Sequence, residues 1–193
     1  MTLMYNEYLT AVAQFPNVLT AEECRWLIDV PLPSSEAAVE LRDSHVMEKS
    51  ESRVDYGVRR TRIKSIPPNP DCLWIFQRLG NLVQRVNRAA YHFQLSEQLS
   101  VDVLEYDPEG YFDWHVDIGP GIFATRKLSM VTFLTPPDAY EGGNLCFMDK
   151  GEPLRLPLGT TAIFPSYMLH KVEPVTRGTR HTLVSWAHGP SFT

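Results

Sequence analysis

Cysteine is scarce in this sequence, and no two cysteines have the close spacing of a metal-binding or redox motif. Cys24, Cys72 and Cys146 lie far apart, and their number is odd. A disulfide framework or a zinc ribbon needs paired, closely spaced cysteines, so the pattern argues against both. We expect all three side chains to be small buried hydrophobic groups.

Long hydrophobic runs and an excess of positive charge are also missing. No segment approaches the about 20 apolar residues that a membrane span requires. The segment from Met1 to Phe15 lacks the basic stretch and apolar core of a signal peptide. We therefore expect a cytoplasmic protein, in a reducing compartment, without a membrane partner. The formal net charge of -5 argues against a nucleic-acid partner.

The chain contains no internal repeat and no low-complexity tract. Its 193 residues fit one domain, and 44% hydrophobic with 21% charged residues is typical of a globular protein. We predict that residues 1–98 form a helical support and lid region. Residues 99–193 would form the β-rich core that carries the functional site.

Two helices are predicted in the first half of the chain. Thr20 and Glu23 have the spacing of a capping box, which predicts a helix to about Asp29, ended by Pro31 and Pro33. Between Asp71 and about Tyr91, apolar residues recur at three- and four-residue steps and predict a longer helix: Leu73, Phe76, Leu79, Leu82, Val83 and Val86. The polar segment 48–61 between them is typical of a loop. Its part 48–57, with Tyr56, is a candidate lid over an active site.

From Leu99 onward the pattern changes to short strands. Turn residues separate six segments rich in β-branched and aromatic side chains, at 99–106, 128–135, 144–148, 161–164, 170–175 and 180–187. Many short strands joined by turns indicate a sandwich or jelly roll. We predict a mainly β protein with flanking helices (α+β), in which the N-terminal helices pack on the outside of one sheet.

Two histidines and one aspartate form a candidate metal site. His115 and Asp117 stand at positions i and i+2, so on an extended strand their side chains would share a face. His170 stands far downstream, directly before an alternating strand. Two histidines with one carboxylate make a facial triad, which leaves adjacent metal positions open for oxygen chemistry. By itself a His-x-Asp motif also occurs by chance around surface or core histidines.

Arg180 strengthens this interpretation. It follows His170 by ten residues, across a segment that reads as a turn, so a returning strand would bring it beside the metal. On that strand Arg180, Thr182, Val184 and Trp186 would share one face. A guanidinium next to a hydroxyl suits the binding of a carboxylate. The alternative is an exposed charge on an edge strand.

Several motifs, in this order, resemble the prolyl-4-hydroxylase-like branch of the 2-oxoglutarate/iron(II) dioxygenases. They are Tyr106 to Gly110, Trp114 to Asp117, Glu141 to Gly143, Pro165 to His170, and Arg177 to Arg180. The resemblance covers roughly the last half of the chain. It implies a double-stranded β-helix (jelly roll, cupin-like) and an enzyme that uses Fe(II), 2-oxoglutarate and O2, with ascorbate as reductant.

The resemblance also implies roles for single residues. His115, Asp117 and His170 would be the catalytic iron ligands. Arg180 would pair with the distal carboxylate of 2-oxoglutarate, with Thr182 assisting. Two further cofactor-binding residues are implied: Tyr106 would hydrogen-bond the co-substrate and Trp186 would line the pocket, although plain core packing explains these two aromatic residues equally well.

Hydroxylation is the implied reaction, because related halogenases lack the carboxylate that Asp117 supplies. Two departures concern 2-oxoglutarate binding: Phe133 stands where some relatives have tyrosine, and Leu145 where collagen-type enzymes have threonine. The implied substrate is a prolyl or other residue in a protein or peptide, or a free amino acid or similar small molecule. Two alternatives stay open, a cupin-like metalloenzyme that does not use 2-oxoglutarate and a non-catalytic sensor of iron or 2-oxoglutarate.

The basic run from Val58 to Lys64 has two interpretations. Arg59, Arg60 and Arg62 either bind a substrate carboxylate, an acidic peptide or nucleic acid, or they form a solvated edge that protects an exposed strand from pairing. Arg126 is a further candidate at the mouth of the pocket.

Overall fold

Two antiparallel sheets lie face to face in the computed structural model, which describes residues 6–29, 42–43, 46–48, 51–53, 59–148 and 151–192. The helices are α1, Ala21–Asp29, and α2, Leu73–Val86. In chain order the strands are β1 Ala13–Phe15, β2 Arg42–Asp43, β3 Val46–Glu48, β4 Glu51–Arg53, β5 Arg59–Arg60, β6 Arg62–Ser65, β7 Leu99–Tyr106, β8 Tyr111–His115, β9 Arg126–Phe133, β10 Glu141–Gly142, β11 Leu145–Phe147, β12 Thr161–Pro165, β13 His170–Val172, β14 Val175–Arg177 and β15 Arg180–His188.

The major sheet has seven strands in the order β1-β12-β9-β15-β7-β6-β2, and the minor sheet has four in the order β11-β13-β8-β5. Strands β10 and β14 pair separately, as do β3 and β4. Aromatic and aliphatic side chains from both sheets meet in an inner core, which includes Phe133 and Trp186 from the major sheet and Phe147 and Val172 from the minor sheet. This arrangement confirms the predicted jelly roll.

The helices cover the outer face of the major sheet, as predicted. Buried residues of α2, among them Ile75, Leu79 and Val83, pack in a second core with Val101 and Leu183 of the sheet. The predicted apolar stripe is wrong at one end, because Leu73 in the first turn is 44% exposed. The α-helix ends at Val86 and continues as a π-helical turn, Asn87–Tyr91.

The strand predictions need three corrections. The predicted strand 170–175 is two strands, β13 and β14, because Pro174 between them has no N–H to donate to a ladder. Strand β8 was not among the predicted segments. The predicted loop 48–61 contains strand residues at Glu48, 51–53 and 59–60.

Part of the predicted support region lies beyond the described residues. Positions 49–50 and 54–57, including Tyr56, are outside them, as are Pro31 and Pro33, so the lid stays a prediction. The division at residues 98 and 99 also stays a prediction, while β1, β2, β5 and β6 from the first part extend both sheets. Within the described parts of the chain, no helix is long and apolar enough to cross a membrane.

The capping box at the start of α1 is present. The backbone N–H of Glu23 donates to Thr20 Oγ1 at 3.2 Å, and the backbone N–H of Thr20 donates to Glu23 Oε2 at 2.9 Å. Two of the N–H groups that a helix start leaves without helical partners are thus satisfied. The carboxylate of Glu23 also forms an ion pair with Arg78 of α2, and this ion pair joins the two helices.

Replacing Thr20 by alanine should lower the free energy of unfolding by about 1 kcal/mol, because one cap hydrogen bond is lost. Urea denaturation followed by circular dichroism measures this change. The exposed Arg25 in the same helix is the control, and Arg25→Ala should change stability by less than about 0.5 kcal/mol. Equal effects of the two substitutions would contradict the cap.

Candidate active site

The candidate metal site forms where strand β8 meets strand β13. His115 and His170 are direct partners in this ladder, and their ring centroids are 4.2 Å apart. Asp117 lies two residues beyond the end of β8, so the expectation that His115 and Asp117 share one extended strand is wrong. The backbone N–H of Asp117 instead donates to the carbonyl oxygen of Ser166 at 2.8 Å, which turns the carboxylate back towards the imidazoles.

The three side chains converge on one point. His115 Nε2 is 3.8 Å from Asp117 Oδ1, and His170 Nε2 is 3.8 Å from Asp117 Oδ2. One ligand atom from each residue lies within 4.8 Å of the others. Three ligand atoms this close to one another can bind a single cation.

The hydrogen bonds of the imidazoles determine which nitrogen is free. His115 Nδ1 lies 2.7 Å from the carbonyl oxygen of Asp113, and His170 Nδ1 lies 2.8 Å from that of Met168. A carbonyl oxygen only accepts, so each Nδ1 carries a proton, and each Nε2 is the ring nitrogen that faces the other two side chains. Backbone partners of this kind orient the histidine ligands of metal sites.

Charge in the site also suits a cation. Burial, followed by the neighbouring imidazole of His170, lowers the pKa of His115, so this ring is neutral at neutral pH. Burial by itself raises the pKa of Asp117. The imidazoles of His170 and His115 and the guanidinium of Arg126 outweigh burial and hold the pKa of this carboxyl below its usual range. The site therefore offers a neutral imidazole at His115 and an ionised carboxylate at Asp117, with the imidazole of His170 beside them.

Two serines that the sequence analysis did not identify hold the Asp117 carboxylate. The hydroxyl of Ser129 donates to Asp117 Oδ2 at 2.6 Å and lies 2.9 Å from the hydroxyl of Ser166. Since Ser129 uses its proton on Asp117, Ser166 donates to Ser129. A signal was available: Ser129 is a polar residue on the same face of β9 as Val131 and Phe133.

Replacing Ser129 by alanine should weaken metal binding by about 10- to 100-fold, because the carboxylate loses the group that orients it. Titration with Mn(II), as a redox-stable substitute for Fe(II), measures the affinity. Ser185→Ala is the matched control, since Ser185 is also buried and its hydroxyl has no hydrogen-bond partner among the described residues. Unchanged Mn(II) affinity in Ser129→Ala would show that Asp117 needs no such support.

Arg180 lies in the inner core, and its environment contradicts an exposed edge position. Strand β15 is central in the major sheet, and Arg180 is only 1% exposed. Its guanidinium carbon lies 5.2 Å from the ring centroid of Tyr106 and 5.3 Å from that of Phe133. Within the described chain its Nε and Nη2 have no hydrogen-bond partner. A buried cation with unused donors is a binding site for an anion.

The other predicted pocket residues are also buried. Thr182 and Trp186 are buried. Neither the Thr182 hydroxyl nor the Trp186 Nε1 has a hydrogen-bond partner among the described residues. Tyr106, Phe133 and Leu145 are buried in the inner core. Phe133 therefore keeps the aromatic contact with Arg180 but offers no hydroxyl to a ligand.

Gly143 explains how Arg180 fits into this core. Its backbone has φ +63°, and a Cβ built there would lie 2.8 Å from Arg180 Cδ and 2.9 Å from Val175 Cγ2. Both distances are shorter than a normal carbon–carbon contact. Only glycine at this position leaves room for the arginine side chain.

The predicted basic run divides between two environments. Arg60 and Arg62 are exposed and form ion pairs, Arg60 with Glu109, and Arg62 with Glu105 and Asp107. Arg59 is half-buried, and its guanidinium carbon lies 4.4 Å from the ring centroid of Phe112, which stacks on His115. Arg126 is also half-buried and donates to the carbonyl oxygen of Asp117 at 3.3 Å.

Comparison with known proteins agrees with this geometry. Residues 101–188 match the family model of the 2OG-Fe(II) oxygenase superfamily. The PKHD-type hydroxylase GOX0559 of Gluconobacter oxydans is 30% identical over 89% of this chain and 75% of its own length. A PKHD-type hydroxylase of Cupriavidus metallidurans is 30% identical over 90% of this chain and 76% of its own length.

Solved structures show the same fold. A prolyl-4-hydroxylase of Pseudomonas putida superposes with a TM-score of 0.69 at 21% identity, and the match covers 93% of each chain. A prolyl hydroxylase of Trichoplax adhaerens, solved with a peptide fragment of hypoxia inducible factor, superposes with a TM-score of 0.73 at 16% identity over 95% of this chain and 84% of its own.

These relatives remove the alternatives of a sensor and of a metalloenzyme without 2-oxoglutarate, since two relatives that match about 90% of this chain are named hydroxylases. The chain belongs to the 2OG-Fe(II) oxygenase superfamily, on its prolyl-4-hydroxylase-like branch, and is an oxygenase that uses Fe(II), 2-oxoglutarate and O2.

Proposed function

We propose that His115, Asp117 and His170 bind Fe(II), that Arg180 binds the distal carboxylate of 2-oxoglutarate, and that the enzyme hydroxylates a prolyl residue of a peptide or protein. The observation that carries this proposal is the convergence of two imidazole Nε2 atoms and one carboxylate within 4.8 Å. Two histidines and one carboxylate are the ligand set of non-haem Fe(II) oxygenases.

The residues present fit both groups. The two imidazole Nε2 atoms and the ionised carboxylate suit Fe(II), and three ligands leave coordination positions open. Arg180 offers Nε and Nη2 groups that have no hydrogen-bond partner among the described residues, and Thr182 offers a hydroxyl on the same face of β15. These donors suit a carboxylate, and burial strengthens the pairing because water does not compete for it.

When bound, Fe(II), 2-oxoglutarate and O2 supply the oxidation of a C–H bond, and 2-oxoglutarate becomes succinate and carbon dioxide. The chain supplies position and shielding. Ser129 orients the carboxylate of Asp117, and the carbonyl oxygens of Asp113 and Met168 orient the imidazoles. The rings of Tyr106 and Phe133 exclude water from the guanidinium of Arg180. We also assign the Tyr106 hydroxyl and Trp186 to this pocket.

The names of the relatives support a prolyl substrate. Two relatives that match over most of this chain are PKHD-type hydroxylases, and two of its structural neighbours are prolyl hydroxylases, one of them solved with a peptide fragment. We place the enzyme in the reducing cytoplasm, which agrees with three free, buried cysteines and an oxidation-sensitive ferrous ion.

The proposal is tested by succinate formation from 2-oxoglutarate with Fe(II) and ascorbate, with His170→Ala as the inactive control. Enzymes of this class decarboxylate 2-oxoglutarate slowly without substrate, so the assay needs no substrate. Prolyl peptides are then added, and a gain of one oxygen atom is measured by mass spectrometry. Succinate from the wild type alone supports the metal centre, while succinate without any oxidised peptide would reject the prolyl substrate.

A further inference from the structure

A second set of unpartnered donors lies beside the proposed metal site. Arg59 Nε, Arg126 Nε and Trp186 Nε1 are buried atoms without a hydrogen-bond partner in the described chain. All three groups only donate hydrogen bonds. An occupant that satisfies them must therefore be rich in acceptor atoms.

Aromatic rings hold both guanidinium groups in place. Arg126 lies 3.7 Å from the ring centroid of Trp186 and 4.5 Å from that of Phe123. Arg59 lies 4.4 Å from the ring centroid of Phe112. Stacking on rings fixes the plane of a guanidinium and leaves its edge free for hydrogen bonds, as in sites that bind carboxylates bidentately.

Both arginines face the metal site. The guanidinium of Arg59 contacts the ring of Phe112, and this ring stacks on the imidazole of His115 with ring centroids 3.4 Å apart. Arg126 donates to the backbone of Asp117. Burial lowers the pKa of both arginines, and the carboxylates of Asp117 and Asp102 partly restore it. Both guanidinium groups thus lie next to the triad.

When only the charges of the described residues are counted, this region lacks an anion once the cofactors are bound. Asp117 contributes one negative charge to Fe(II), and the two carboxylates of 2-oxoglutarate, with Arg180, complete the neutralisation of the metal. Arg59 and Arg126 then share only the carboxylate of Asp102 among the described residues. One positive charge is left in a partly buried place, where an unpaired charge is unfavourable.

We propose that Arg59 and Arg126, together with Trp186 Nε1, bind a carboxylate of the substrate next to the C–H bond that is oxidised. The proposal rests on the proposed function, because it places this carboxylate in front of the iron and 2-oxoglutarate. Substrates of this class are prolyl residues with a free C-terminal carboxylate or an acidic neighbour, rather than prolyl residues in a neutral stretch of chain.

The neighbouring arginines provide an internal contrast. Arg60 follows Arg59 directly but points to the other face of β5, where it pairs with Glu109 in solvent. Arg60 has the same charge as Arg59 and lies on the same strand, but it forms an ion pair with Glu109 and points away from the triad. Arg60→Gln is therefore a matched control for Arg59→Gln.

The test uses two small probes that differ only in charge, N-acetylglycine and N-acetylglycinamide. Protein loaded with Zn(II) and saturating 2-oxoglutarate performs no turnover, and ligand-observed NMR measures the binding of each probe. We expect the carboxylate to bind at least about tenfold more tightly than the amide, since it forms charge-assisted hydrogen bonds. Arg59→Gln and Arg126→Gln should each reduce this preference, and Arg60→Gln should retain it.

Equal binding of the two probes by the wild type, binding of neither, or an unchanged preference in both variants would overturn the proposal. Zn(II) and 2-oxoglutarate contents are measured in every sample, so a loss of the metal site is recognised separately. Succinate formation by the wild type distinguishes failure of this inference from failure of the proposed function. An active enzyme without a carboxylate preference has a neutral peptide carbonyl at this position.

Discussion

Replacing His170 by alanine is expected to weaken Fe(II) binding by on the order of 100-fold or more, because loss of a ligand exceeds the 10- to 100-fold effect of losing a supporting residue. Only two of the three ligand atoms would remain around the metal position. Anaerobic titration with Fe(II), repeated with Mn(II), measures the affinity. Succinate formation should fall to background in the same variant.

The control for this substitution is His181→Ala. The ring of His181 is also partly buried and lies 3.1 Å from Glu105 Oε2, away from the triad. Burial holds the pKa of His181 at about 4, so this imidazole is neutral, like that of His115. Full Fe(II) binding in His170→Ala, or equal losses in both variants, would reject the assignment of the triad.

The strands were predictable from local sequence where turn residues flank a segment rich in β-branched and aromatic side chains. Strand β7 occupies the predicted residues 99–106, and β15 differs by one residue from the predicted 180–187. In β7, Val101 and Val103 pack in the outer core, while Leu104 and Tyr106 pack in the inner core. A strand that is buried on both faces is rich in apolar residues along its length, and turn residues mark where it ends.

The composition of the proposed triad was predictable, but its construction was not. Residue types and spacing identified His115, Asp117 and His170 as one group. The position of Asp117 depends on a hydrogen bond to Ser166 and a second to Ser129, which come from other parts of the chain. Such long-range contacts leave no periodic signal near Asp117, so the sequence suggested a continuous strand instead.

The basic run shows a different limit. Consecutive residues of a strand point to opposite faces, so either Arg59 or Arg60 had to face inward. The pairing of Arg59 with Phe112 in β8 decides between them, and this pairing brings together residues 53 positions apart. The sequence treated all three arginines alike, either as a binding site for an acidic ligand or as a solvated edge, whereas the structure separates one inward cation from two outward arginines that form ion pairs.

Replacing Arg180 by alanine should weaken 2-oxoglutarate binding by about 2–5 kcal/mol, the usual effect of removing one partner of a buried charge pair. This corresponds to roughly 30-fold or more in Kd. Fe(II) affinity without 2-oxoglutarate should stay unchanged, because Arg180 provides no metal ligand. Arg180→Lys should have an intermediate effect, since lysine keeps the charge but loses the planar fork. Wild-type 2-oxoglutarate affinity in Arg180→Ala would place the co-substrate on another cation.

Gly143→Ala tests the same pairing without changing the arginine. The added methyl group would press on the Arg180 side chain, and φ +63° is unfavourable for alanine. Overpacking of about 1–3 kcal/mol should displace the guanidinium and raise the Kd for 2-oxoglutarate by about tenfold, again with Fe(II) affinity retained. Gly151→Ala is the control, because a Cβ there meets no atom of the described residues within 4 Å. If Gly143→Ala loses stability but binds 2-oxoglutarate normally once folded, the position of Arg180 does not determine co-substrate affinity.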